Sequence, residues 1–192
     1  MRKQLRRPLS IVVVSVLLVA LAAGAALAAV VSCAPGATSC SGTSQGDQIT
    51  GTNGRDSIYA LLGNDTVFAE GGNDYVSGSS GNDSIAGDGD LPSADGDDTI
   101  NGGSGRDVLD GFGRSDRLKG GSGDDKIYAH EQTQAYSGKD TIYGEAGDDY
   151  IYAVDGAVDN IDCGEDSFDF DEVYYDSGID VVAANCEDQY PQ

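Results

Sequence analysis

The residues of this chain that could do chemistry are its aspartates, and they return on a fixed count. Asp47, Asp56, Asp65, Asp74 and Asp83 stand nine apart; the register resumes at Asp98, Asp107, Asp116 and Asp125, then at Asp140 and Asp149. Two places after each stands an aliphatic residue: Ile49, Ile58, Val67, Val76, Ile85, Ile100, Leu109, Leu118, Ile127, Ile142 and Ile151. Carboxylates held at one spacing make a file of negative charge that needs cations to offset it. The aliphatic partners need a core, and nine residues cannot bury an apolar face alone. Neighbouring units must therefore stack into a solenoid.

The unit explains how the aspartate is presented. Gly78-Ser79-Ser80-Gly81-Asn82-Asp83-Ser84-Ile85-Ala86 shares a template with the nonapeptides that start at Gly102 and Gly120, G-G-x-G-x-D-x-U-x, where U is a large aliphatic. Glycines at the first positions permit turn conformations with positive φ that a side chain resists. The aspartate closes the turn and a short strand follows, with U pointing one way and its neighbours the other. The expected class is all-β, with the U residues forming one inward apolar column.

In these nonapeptides the chain resembles the RTX (hemolysin-type) calcium-binding repeat family, over about Gly42 to Glu187. The resemblance implies a right-handed parallel β-roll with two nonapeptides per turn and Ca²⁺ between turns stacked on one edge. The implied ligands are the carboxylates of Asp56, Asp65, Asp74, Asp83, Asp98, Asp107, Asp125, Asp140 and Asp149, with carbonyls of glycine turns such as Gly63, Gly81, Gly105, Gly123 and Gly147. Several oxygens, some charged, at flexible spacing suit this hard cation.

Around the repeats, composition sets the boundaries. Met1 to Arg7 is basic and Ile11 to about Ala28 is apolar, ending Ala26-Leu27-Ala28, the layout of a secretory leader over residues 1–28. The same run is just long enough to span a bilayer, but its second half is alanine-rich and weakly apolar. Without the leader's four cations, seven Lys and Arg face 33 Asp and Glu, a net charge of −26. Such a charge repels nucleic acid and anionic headgroups, and with no Trp and few Phe the chain would favour disorder unless cations offset it. Residues 29–41 read as an N-terminal cap, 42–152 as the roll, and 153–192 as degenerate repeats with a closing cap.

Four cysteines allow three pairings, of which Cys33–Cys40 and Cys163–Cys186 place one staple at each end. Two alternatives stay open. Val30-Val31-Ser32-Cys33 fits a lipobox, and cysteines can hold zinc, although no CxxC occurs and His130 is the only histidine. In the resemblance, Cys163-Gly164 and Asn185-Cys186-Glu187 look like the disulfide-closed final turn of exported actinobacterial members, expected to cover the last sheet edge.

Other functions find little support in the residues. His130-Glu131-Gln132-Thr133-Gln134 lacks the second His of a zinc protease, no EF-hand or P-loop spacing occurs, and no Ser-His-Asp set can be assembled. Family enzymes carry their catalytic domain elsewhere in a longer chain, and these residues leave no room for one, so the expectation is non-enzymatic. The file after U is too mixed for ice binding, but it holds Tyr59, Phe68, Tyr128, Tyr143 and Tyr152. Those aromatics suggest a rival, an extracellular adhesion or ligand-binding module; good strand formers explain them more simply. No protein or glycan partner is specified.

Two fifteen-residue intervals, Asp83 to Asp98 and Asp125 to Asp140, each hold one unit plus six residues, bulging at Asp88–Asp95 and His130–Ser137. Both insertions enter even-numbered units, so they should leave one edge of the roll, two turns or about 9–10 Å apart. The odd edge keeps Gly two places before every aspartate from Asp65 to Asp149. The even edge has Arg114 before Asp116 and Lys139 before Asp140, so tighter calcium is expected on the odd edge.

Overall fold

The computed structural model describes residues 28–37, 39–89, 95–129, 138–164 and 170–192. The leader up to residue 27, the insertions at 90–94 and 130–137 and the His130 segment lie outside the described residues.

Every motif aspartate is followed at once by a strand, because the glycine turn ends there and the D-x-U residues alternate in and out. The strands are β1 (Val30–Ser32), β2 (Cys40–Ser41), β3 (Gln48–Thr52), β4 (Ser57–Leu62), β5 (Thr66–Glu70), β6 (Tyr75–Ser80), β7 (Ser84–Ala86), β8 (Thr99–Ser104) and β9 (Val108–Asp110). They continue as β10 (Arg117–Ser122), β11 (Lys126–Tyr128), β12 (Thr141–Ala146), β13 (Tyr150–Ala153), β14 (Asn160–Asp162), β15 (Glu172–Tyr175), β16 (Val181–Val182) and β17 (Asp188–Pro191). Odd strands form one nine-stranded sheet and even strands one eight-stranded sheet, each in sequence order. Every pairing is parallel. Two strands thus make one turn of a parallel β-solenoid of about eight turns, and no helix occurs among the described residues.

The expected single apolar column is in fact two. Val67 pairs with Ile85, Ile85 with Leu109 and Leu109 with Ile127 in the odd sheet. Val76, Ile100, Leu118 and Ile142 do the same in the even sheet. Consecutive nonapeptides lie on opposite walls, so the columns face each other across the roll. Ile49, Ile58, Val67, Val76, Ile100, Leu109, Leu118, Ile127, Ile142 and Ile151 are all fully buried. The expected aromatic file divides for the same reason: Tyr59 and Tyr143 lie on the even sheet, Phe68, Tyr128 and Tyr152 on the odd. Tyr152 is joined there by Tyr174 and Tyr190 in register, and Tyr174 stacks on Tyr190 at 4.7 Å.

Disulfides Cys33–Cys40 and Cys163–Cys186 close the two ends, with Cα separations of 5.4 and 5.2 Å. All four cysteines are paired, as the end-staple reading expects. The second staple closes the last turns, and the edge of the odd sheet lies beyond it. The chain runs on past Cys186 and adds β17, which is exposed throughout. That edge is blunted by Asp188 and by Pro191, which offers no amide to an incoming strand.

Leu118 lies in register between Ile100 and Ile142 with no solvent exposure. Truncation to Ala leaves a cavity that a stacked wall cannot collapse around. Leu118→Ala should cost roughly 2–5 kcal/mol, read from chemical denaturation under folding conditions.

Candidate metal centre

The turns stack the motif aspartates into two ladders. One runs along the edge that leads into odd strands, through Asp47, Asp65, Asp83, Asp107, Asp125, Asp149 and Asp171. The other leads into even strands, through Asp56, Asp74, Asp98, Asp116, Asp140, Asp159 and Asp180. In the first, the backbone N–H of each aspartate donates to Oδ1 of the next one along, from Asp47 to Asp171, at 2.7–2.9 Å. The second repeats this from Asp56 to Asp180 over the same range. Both insertions are absorbed without a break: Asp74 still donates to Asp98 and Asp116 to Asp140, each 24 residues on. Their described stems lie on the even edge, as expected.

Those bonds satisfy one carboxylate oxygen and leave the other. Oδ2 of Asp65, Asp74, Asp83, Asp98, Asp107, Asp116, Asp125, Asp140, Asp149 and Asp159 is buried with no hydrogen-bond partner. The ion pairs Arg106–Asp124 and Lys119–Glu145 lie at the surface and touch no ladder aspartate. An unpaired buried anion costs several kcal/mol unless a proton or a cation joins it.

The glycines make room for that oxygen. A Cβ on Gly102 would collide with Oδ2 of Asp107 and lie 2.7 Å from the carbonyl oxygen of Gly120, one turn on. A Cβ on Gly120 would meet Oδ2 of Asp125 and, at 2.8 Å, the carbonyl of Gly144. The even edge repeats this at Gly87 with Asp98 and Gly111. Carboxylate and carbonyl oxygens from successive turns therefore converge on one small space. The glycines two places before the odd aspartates serve the stacking itself. Gly63, Gly81, Gly105, Gly123 and Gly147 all have φ between 116° and 134°. A side chain on Gly81 would strike the carbonyl of Gly63 one turn back.

Burial dominates the electrostatics. It pushes the carboxyls of Asp74, Asp149 and Asp159 up to about 8 and those of Asp98, Asp125 and Asp140 up to about 7, with neighbouring carboxylates adding to the rise. Asp65 and Asp83 rise to about 6, Asp107 is raised, and Asp116 is raised well above the usual range. The Oδ1 hydrogen bonds oppose this and are outweighed.

All nine aspartates expected as ligands are ladder members, and the five expected glycines lie in the odd-edge turns. Asp116 is not among the expected ligands, and Arg114 two places before it is expected to weaken calcium there. Arg114 takes a positive φ of 73°, and Asp116 keeps the ladder geometry. Asp159, Asp171 and Asp180 extend the ladders past residue 152 although the first two lack the glycine two places before, and their Asp-x-aliphatic pairs were the legible sign. Asp88 and Asp155 are also buried, and neither carries that sign.

The comparisons agree with this chemistry. The family model described as the RTX calcium-binding nonapeptide repeat matches residues 41–76, 70–90, 94–127, 110–132 and 134–157, more than half of the chain. No curated protein and no solved structure matches it.

The raised carboxyls fix the pH dependence. In chelator the folded state binds protons that the unfolded chain, with carboxyls near 3.9, does not. Proton-linked stability is then full below that value and lost as pH rises through about 6–8. Circular dichroism in chelator should show more β structure at pH 5 than at pH 8, and calcium should reverse the order by replacing the protons.

Proposed function

The chain belongs to the RTX calcium-binding nonapeptide repeat family, and on that footing we propose that it is an exported, non-enzymatic calcium-binding β-roll that folds when Ca²⁺ binds. The observation that carries this reading is the double file of buried, unpartnered Oδ2 atoms. Calcium would be held by ladder carboxylates and turn carbonyls, six or more oxygens at tolerant geometry. When bound it supplies the positive charge that the burial of each file demands. The chain's own part is done by the Oδ1 bonds, which fix each carboxylate, and by the glycines, which keep Cβ atoms out of the oxygen-lined space. Mg²⁺ is a poor substitute, since it demands near-octahedral geometry and holds its water.

Export is supported by the basic and apolar leader pattern and by two disulfides, which persist in oxidising compartments. Passage as an unfolded chain through low calcium, then folding in calcium-rich surroundings, follows from coupling binding to folding. The adhesion rival loses its main support with the aromatics divided between opposite walls. The tyrosines of the last odd strands pack across strands, as such pairs do in any sheet.

At pH 7.5 in chelator the protein should be largely unordered, gain β signal on adding Ca²⁺ and fail to do so with Mg²⁺. Circular dichroism decides this, and a full β signal in excess chelator at that pH overturns the reading.

A further inference from the structure

The spacing between Asp149 and Asp159 is ten residues rather than nine, and the irregular stretch contains Asp155. By sequence this looks like decay of the repeat, since Ala157 stands two places before Asp159, where the glycine belongs. By structure it adds a carboxylate. One oxygen each from Asp140, Asp155 and Asp159 lies within 4.8 Å of those of the other two. Asp140 and Asp159 have no exposure and Asp155 only 9%.

Each of the three shows the same division of labour between its oxygens. Oδ1 of Asp140 accepts the N–H of Asp116 at 2.8 Å, and Oδ1 of Asp159 accepts that of Asp140 at 2.8 Å. Oδ1 of Asp155 accepts the N–H of Ala157 at 2.7 Å. All three Oδ2 atoms are buried without a partner. Two further aspartates place the group rather than join it. Asp176 Oδ2 accepts the amides of Asp155 and Gly156 at 2.9 and 2.6 Å. Asp180 Oδ1 accepts the amide of Asp159 at 2.9 Å, and its Oδ2 accepts that of Asp176 at 2.7 Å.

Buried Asp88 also lies beside the even ladder, but its two oxygens both accept the N–H of Gly96 and it joins no such close group among the described residues. At Asp155 a third side chain enters between two rungs. Oxygens that share one Ca²⁺ can lie up to about 4.6–5.2 Å apart, twice the usual Ca–O distance of about 2.3–2.6 Å, and this cluster falls in that span. Three buried carboxylates so close repel one another, and a cation between them offsets that charge.

The geometry points to a dedicated Ca²⁺ site at the C-terminal end of the even ladder, formed by the side chains of Asp140, Asp155 and Asp159. It rests on the calcium-binding reading above and adds a site that the nonapeptide pattern does not encode. Affinity rises with the number of charged ligands, so this site fills before the turn sites that hold fewer carboxylates. It is the exception to the expected advantage of the odd edge. By closing the turn between β13 and β14, it gives the last turns an anchor beside the Cys163–Cys186 staple.

The test is calorimetric titration of calcium into the full chain, its Asp155→Asn variant and, as a control for charge alone, Asp188→Asn on exposed β17. Asp155→Asn should lose the first-filled class, its ion weakening to the affinity of the turn sites, while Asp188→Asn keeps that class. A folded Asp155→Asn that keeps the first-filled class overturns the site and leaves the β-roll reading standing. An unaltered protein that binds no calcium overturns that reading instead. Should Asp155→Asn fail to fold in excess calcium, hydrogen exchange of the unaltered protein decides. Amides of residues 155–160 should reach half-protection at a free Ca²⁺ at least threefold below those of 105–110, and coincident midpoints overturn the site.

Discussion

One arrangement governs this molecule: at the mouth of each turn from Asp65 to Asp159 stands an aspartate whose Oδ1 is held by the amide of the aspartate one turn back and whose Oδ2 is buried without a donor. The hydrogen bond secures register. A ladder rung is satisfied only when successive turns sit directly over one another, so the same bond that fixes the carboxylate also aligns the sheets. It equally prevents the carboxylate from swinging out to water. The unmet oxygen is therefore a built-in demand for charge, repeated along both edges.

The core is too thin to override that demand. Two facing columns of single aliphatic side chains, with Ala60, Ala69, Ala129 and Ala153 beside them, make up most of the interior. Each large aliphatic contributes about 1.5–3 kcal/mol on burial, and each unpaired buried carboxylate costs several. Rung for rung the terms are of similar size and opposite sign. The sign of the balance passes to whatever neutralises the aspartates, whether a proton at low pH or a cation at neutral pH. Two disulfides restrict the unfolded ends, but they lie outside the long middle of the roll where ladder charge accumulates.

Much of this was legible because Asp-x-aliphatic is both a local and a global instruction. The aliphatic sets which way the strand faces and the aspartate sets where it begins, so Asp65-x-Val67 and Asp125-x-Ile127 each placed a strand, a core residue and a ladder rung. The even placing of Cys33, Cys40, Cys163 and Cys186 likewise pointed to end staples. What was not legible depends on how units meet in space. A list of nonapeptides does not show that alternate ones occupy opposite walls, so one column was read where there are two, and aromatics on different sheets were read as one file. Arg114 pointed to weaker calcium binding, yet ladder geometry tolerates a non-glycine at positive φ there. Asp155 looked like noise because it serves the cluster and carries no strand behind it.

The most direct test of the ladder account is a crystal structure of the calcium-loaded protein with anomalous data that locate the ions. The account predicts ions in the turn interiors of both edges, about 2.3–2.6 Å from ladder Oδ2 atoms such as those of Asp107 and Asp125. A folded roll whose turns hold no ion, with those Oδ2 atoms capped by water or by side chains, would contradict it.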